Sequence, residues 1–271
     1  MTRGPLANLG MYDGADLTPA NDVLWGVIAE HLHARGIADV PALLTRGPLE
    51  DIWNERLLFG QTCGYPFISR LAGTLRVVGT PVYDVPGCEG ATHRSFIVVA
   101  ASSPFRRLED LAGTHAVIND PESNSGRNLF GDALASVGAR FPFFGKVSVS
   151  GSHEQSLRDV AERSADVAAI DNVSYAHFLR HRPPLKEAIR ILHETRSSPA
   201  LPFVTSSYHG AVTIFDAVRV ALADPRTEQA RRVLRLVGIE PLAAEAYEIT
   251  REFSARADEV FGSQSLTICK R

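Results

Sequence analysis

Three short stretches of this chain carry side chains that could do chemistry, and each stands where an apolar run gives way to a polar turn. The first is Asn119-Asp120-Pro121-Glu122-Ser123-Asn124-Ser125-Gly126-Arg127-Asn128. It follows a strand-like segment and opens a helix. Small polar residues at a helix start present unpaired backbone N–H groups and hydroxyls at the positive end of the helix dipole, which binds an anion without any lysine. The structural alternative is an ordinary N-cap, for which Ser and Asn are the preferred residues. The second stretch is Gly151-Ser152-His153-Glu154-Gln155-Ser156-Leu157, where His153 could donate to an anion or titrate near neutrality. A surface histidine beside a cap is the plainer reading. The third is Asp171, a carboxylate ending the apolar run Val167-Ala168-Ala169-Ile170. It stands where α/β sheets bind ligands, or it caps the helix beginning at Asn172.

The elements around these stretches alternate between strand-like and helix-like, which points to an α/β chain with largely parallel sheets. Val23, Leu24, Val27, Ile28 and Leu32 recur at helical spacing, and Arg35-Gly36 closes that helix. Strands are expected at Leu57–Gly60, Thr74–Gly79 and Ser95–Ala101, and then at Thr114–Asn119, Lys146–Ser150, Asp166–Asp171 and Ile189–His193. Helices are expected over 107–113, 126–137 and 154–164. After Ser197-Ser198-Pro199-Ala200-Leu201-Pro202 the chain reads as helical, over 211–223, 227–237 and 243–261. Turn chemistry near residues 102 and 200 brackets one block. The expected organisation is a discontinuous first lobe, 1–101 with 203–271, and an inserted second lobe, 102–202. Two crossing segments would make a hinge beside a central ligand cleft.

Composition narrows the classes. The chain has 271 residues, a net charge of −3, 45% hydrophobic and 22% charged residues, which is ordinary globular composition. Near-zero charge gives no general attraction to nucleic acid, and none is expected as a partner. The longest apolar run, Phe96 to Ala101, is far short of a membrane helix. No dinucleotide fingerprint or Walker loop occurs, so no nucleotide cofactor is expected. Cys63, Cys88 and Cys269 lack metal spacing, and no metal is expected. They are three ordinary thiols, or Cys63 pairs with Cys88 and leaves Cys269 over. The N-terminus lacks the apolar core of a secretory signal, so the expected location is periplasmic if a signal was removed and cytoplasmic otherwise.

Four blocks in order also resemble a known family. Phe105-Arg106-Arg107-Leu108-Glu109-Asp110-Leu111-Ala112-Gly113, the Asp-Pro-Glu-Ser-Asn-Ser-Gly run, Gly151-Ser152-His153 and Ala165–Asp171 look like the phosphate/phosphite/phosphonate substrate-binding proteins of ABC transporters. The resemblance spans roughly residues 11–206 and implies a two-lobed type II periplasmic-binding fold that closes on its ligand. It also implies that Ser123, Asn124, Ser125 and Gly126 hold the oxyanion, with His153 and Asp171 beside them. From the other side it implies His93 and the turn Gln61-Thr62-Cys63-Gly64-Tyr65, with Gln61, Thr62 and Tyr65 as ligand residues. Tyr12 and Tyr83 are added as further candidates by their placement in Gly/Pro-rich turns. A typical phosphonate binder carries an aromatic where this chain has His93, so a more polar wall is expected there.

The function implied is capture of a small phosphonate- or phosphate-like oxyanion by a monomer that delivers it to an ABC permease, without catalysis or cofactor. One alternative is an enzyme on the same fold, of the pyrimidine-synthesis or menaquinone-pathway type, with Cys63 as nucleophile and His153 or His93 as base. Another is a cytoplasmic ligand sensor. Neither cysteine nor serine here has a sequence signature of activation, and fold alone does not decide function.

Overall fold

The computed structural model describes residues 4–180, 182–206 and 210–262, so Cys269 lies outside the described residues. Twelve short strands are described: β1 (Leu6–Ala7), β2 (Leu57–Gln61), β3 (Leu75–Tyr83), β4 (Thr92–His93), β5 (Ser95–Ala100), β6 (His115–Ile118), β7 (Lys146–Val149), β8 (Val167–Asp171), β9 (Ile189–Glu194), β10 (Ser198–Pro199), β11 (Phe203–Ser206) and β12 (Leu236–Glu240). The helices are α1 (Thr18–His33), α2 (Leu49–Trp53), α3 (Gly64–Pro66), α4 (Leu129–Ser136), α5 (His153–Ala161), α6 (Asn172–Arg180), α7 (Pro183–Ala188), α8 (Ala211–Ala223), α9 (Glu228–Leu234) and α10 (Ile249–Phe261). No described helix is long and apolar enough to cross a membrane.

The chain divides into two compact units: Met1–Asp84 with Glu89–Ala91 and Pro199–Tyr247, and Val85–Cys88 with Thr92–Ser198 and Glu248–Arg271. These bounds differ from the lobes read from sequence: residues 85–88, 92–101 and 248–271 fall in the second unit, and 199–202 in the first. Strand β5, expected in the first lobe, pairs with β8 and β9 and so belongs to the second unit. Helix α10, also expected in the first lobe, contributes Ala257, Val260 and Phe261 to the second unit's core. Turn residues near 102 mark the end of a strand, and turn chemistry alone cannot tell a strand end from a unit boundary.

The first unit is built on a sheet ordered β1-β2-β11-β3-β12. Only β1–β2 is parallel; β11 runs antiparallel to β2 and β3, and β12 antiparallel to β3. The expectation of largely parallel sheets is therefore corrected. The last two residues of the helix expected over 227–237 instead begin strand β12, which runs on to Glu240. Helix α9 stops because Arg235 takes a left-handed conformation, φ 55°, which turns the chain back along β3. Leu236-Val237-Gly238-Ile239 is β-branched enough to have signalled the strand. This unit's core joins Trp53, Phe67, Leu75, Val204 and Tyr247.

The second unit's sheet is ordered β7-β6-β8-β5-β9, with β6 parallel to β7 and β8, and β5 antiparallel to β8 and β9. Strand β5 carries the chain into the unit and β9 carries it out, so these neighbours run in opposite directions. Both faces are covered, which explains the unbroken apolar run in β5. Ile97 and Val99 pack with Phe130, Leu134, Val260 and Phe261 on one face. Phe96 and Val98 pack with Leu157, Val160 and Leu179 on the other. On the first face α10 lies so close to α4 that a methyl group on Gly131 would sit 2.4 Å from the Ala257 α-carbon. Only glycine permits that approach.

Candidate functional site

Strands β6, β7 and β8 are mutually parallel through β6, so their carboxyl ends share one sheet edge, where ligands of α/β sheets are held. All three chemical stretches begin there. After β6, Ser123 turns the chain: its Oγ accepts the Gly126 N–H at 2.9 Å, and Asn124–Asn128 form a turn of π-helix leading into α4. The cap alternative is thus realised for Ser123. Its hydroxyl nevertheless lies 3.4 Å from that of Ser125. The Ser125 carbonyl accepts the Ser95 hydroxyl at 2.9 Å, and Asn124 Nδ2 donates to Ser198 Oγ at 3.0 Å. Ser123, Asn124, Ser125 and Gly126 are all buried. Ser95 and Ser198, which support the turn, were not singled out from sequence. Ser95 at the head of an apolar strand is the one signal that could have found them.

After β7, Ser152 caps α5 by accepting the Gln155 N–H at 3.1 Å, which sets His153 at the first helical position. His153 Nε2 lies 2.9 Å from Ser125 Oγ. Nδ1 is shielded from solvent and lacks a well-formed hydrogen bond. Burial pushes this imidazole down to about 4, with the Asp171 carboxylate and the Ala169 carbonyl opposing and His93 reinforcing the shift. At neutral pH it is uncharged and joined to a hydroxyl.

At the end of β8, Asp171 is 2% exposed. Its Oδ1 accepts the Ser174 N–H at 2.7 Å, the cap expected for α6, and its Oδ2 lies 2.7 Å from His93 Nδ1. Burial alone would raise this carboxyl. The His93 hydrogen bond, the charges of His93 and His153, and the Ser174 N–H outweigh burial and hold it at about 2. Asp171 is therefore a buried carboxylate anion, and His93 is its neighbour on β4.

The remaining candidates belong to the first unit. Gln61 is buried, and its side-chain amide donates to the Tyr83 hydroxyl at 3.2 Å and to the Leu201 carbonyl at 3.1 Å. Thr62 is fully buried, with its hydroxyl on the Cys63 carbonyl. Tyr12 is buried edge-on against Tyr83, ring centroids 5.4 Å apart. Tyr65, at the start of α3, is half-buried. Cys63 and Cys88 are thiols, not a disulfide. Cys88 Sγ accepts from Asn172 Nδ2 at 3.2 Å, and burial pushes the thiol up to about 11. Among the described residues no group of His, Cys, Asp and Glu is arranged to hold a metal.

The fold is shared with solved binding proteins. A binding-protein component of an ABC phosphonate transporter from Pseudomonas aeruginosa superposes with TM-score 0.73 at 14% identity, covering 94% of this chain and 88% of that one. PhnD1 from Prochlorococcus marinus, in complex with methylphosphonate, gives TM-score 0.70 at 13% identity, covering 90% and 95%. A Xanthomonas citri protein bound to chloride gives 0.68 at 19%, covering 93% and 96%. These superpositions establish the two-lobed type II periplasmic-binding fold. No curated protein matches the chain in sequence. The family model of the ABC transporter phosphonate periplasmic substrate-binding protein matches residues 57–247, well over half of the chain. By that match, over both units of an α/β fold common to such proteins, this chain belongs to the phosphonate substrate-binding proteins of ABC transporters.

Proposed function

We propose that the protein captures a small tetrahedral oxyanion of the phosphonate or phosphate kind at the β6–α4 turn of its second unit, and presents it to an ABC permease in the periplasm. The observation that carries this reading is the hydrogen bond between Ser125 Oγ and His153 Nε2 at the carboxyl edge of β6, β7 and β8. It brings two hydroxyls, a polar turn and an imidazole to one place, all of them groups that can donate to phosphoryl oxygens. Ser123, Asn124, Ser125, Gly126 and His153 are assigned to the oxyanion. The PhnD1 relative holds methylphosphonate, a ligand of this class.

Catalysis is not part of the proposal. A serine activated by histidine needs a group that orients the base through its second nitrogen. Here Asp171 hydrogen-bonds His93 and Ser174, and His153 Nδ1 has no well-formed bond.

The test is a calorimetric and thermal-shift panel of phosphate, phosphite, methylphosphonate, sulfate and unrelated carboxylates. A ligand at 100 times its Kd adds about 2.7 kcal/mol of stability. Stabilisation by phosphorus oxyanions is expected. If only carboxylates stabilise the protein, the proposal fails.

A further inference from the structure

A buried carboxylate beside an oxyanion site poses a problem of charge. Asp171 and His153 are close enough for their charges to act on each other, and His153 touches Ser125. Two like charges held close together in a buried site repel each other far more than they would in water. Hydrogen-bond donors must cover the carboxylate, and either the ligand or the protein supplies them. A ligand bearing an ammonium group would do so by docking onto Asp171.

The geometry points to the protein instead: we infer, resting on the oxyanion reading above, that His93 is the specificity-determining partner of Asp171, and that the ligand is an oxyanion without an ammonium group. Oδ2 is engaged by His93 Nδ1 at 2.7 Å and Oδ1 by the Ser174 N–H at 2.7 Å. Both residues of the pair are nearly inaccessible, 1% for His93 and 2% for Asp171. A hydrogen bond to a carboxylate requires the proton on Nδ1, which fixes the tautomer of His93 and the face of the carboxylate it covers. An incoming ammonium would have to displace an imidazole that is itself buried, and leave that ring without its acceptor. The cost of stranding a buried polar group is what lets a site reject a near-isostere. His93 acts on specificity through Asp171, as a positioning residue. The carboxylate, held by β8 and by the first turn of α6, is kept as the anchor of that imidazole.

The experiment compares 2-aminoethylphosphonate with propylphosphonate, which replaces the ammonium by a methyl group of similar size. Calorimetry on the whole chain gives the ratio of their Kd values. The parent is expected to bind propylphosphonate about tenfold more tightly, and His93→Phe to move the ratio by about tenfold or more toward 2-aminoethylphosphonate. In His93→Phe with Asp171→Asn that movement should vanish, because the uncovered carboxylate is gone. A parent that prefers 2-aminoethylphosphonate overturns the inference, and so does a ratio that His93→Phe leaves unchanged. The parent ratio needs no variant, so it decides the matter even if His93→Phe fails to fold. Should neither phosphonate nor inorganic phosphate bind the parent, the oxyanion reading itself is removed and the inference falls with it. Preference for the ammonium ligand would instead leave that reading standing.

Discussion

Gly126 is pressed against Asn119: a methyl group at 126 would lie 1.7 Å from Asn119 Oδ1 and 3.3 Å from His153 Cε1. A side chain there must drive the Asn119 amide away and push on the imidazole. Gly126→Ala is therefore expected to cost about 1–3 kcal/mol of stability, the usual range for overpacking, and to weaken oxyanion binding. Urea denaturation checks the first part and calorimetry the second. Adding Asn119→Ala should restore the stability; if it does not, the contact is not the cause.

Replacing both Ser123 and Ser125 by Ala should weaken oxyanion binding by about 2–4 kcal/mol, from about 1.5–3 for each charge-assisted hydrogen bond less what water can replace. Ser123→Ala alone also removes the cap on Gly126, and should lower stability by about 1 kcal/mol. An unchanged Kd in the double variant would leave the turn as a cap and nothing more.

Acid should destabilise the ligand-free protein in two separate windows. His153 has an ordinary value of 6.5 and about 4 in the fold, so between these values the unfolded chain takes up the proton and stability falls as pH falls. Asp171 goes from 3.8 to about 2, so its contribution is intact above 3.8 and is lost toward 2. A bound oxyanion favours charged His153, and should flatten the upper window. Melting temperature against pH, with and without methylphosphonate, is the measurement. His153→Gln should shrink the loss between 6.5 and 4 to the part that remains from His115, whose imidazole burial and Lys146 also hold below its ordinary value; a loss left unchanged would mean that His153 is not its cause.

Asp132, 1% exposed on α4, is held by Arg196 through Nε at 2.9 Å and Nη2 at 2.8 Å, with Arg256 Nε of α10 at 2.8 Å. Breaking a buried ion pair from one side typically costs about 3–5 kcal/mol. Since Arg196 is half-exposed, Asp132→Asn is expected near the low end, about 3 kcal/mol, by urea denaturation. A loss below about 0.5 kcal/mol, the range of ordinary surface substitutions, would mean that the cluster is only an exposed network.

The turn after β6 and the end of β8 were legible because each is an apolar strand running into Ser, Asn or Asp, a contrast visible within ten residues, and the start of α5 because Gly151-Ser152-His153 follows the alternating strand Lys146–Val149. The helical reading ran on into β12 because Ala230, Val233, Leu234 and Val237 keep three-to-four spacing, which masked the β-branched Val237 and Ile239, and the left-handed Arg235 that ends the helix has no compositional mark. His93 was found as a candidate, but its bond to Asp171, 78 residues away, was not. Polar pairs at such separation are made by strand order, here β8 beside β5, which carries Ser95 directly opposite Asp171. Gln61 likewise read as a ligand group, while the fold uses its amide to tie β2 to Tyr83 and Leu201.

The return of α10 to the second unit has a consequence for how the protein is made. The stretch Thr92–Ser198 is synthesised in one run, yet Phe130 and Leu134 face Ala257, Val260 and Phe261, which follow about sixty residues after Ser198. At about 5–20 residues per second, the ribosome leaves that apolar face uncovered for roughly 3–12 s after the rest of the sheet is complete. During that interval the nascent unit offers a holdase chaperone a surface that the finished protein withdraws.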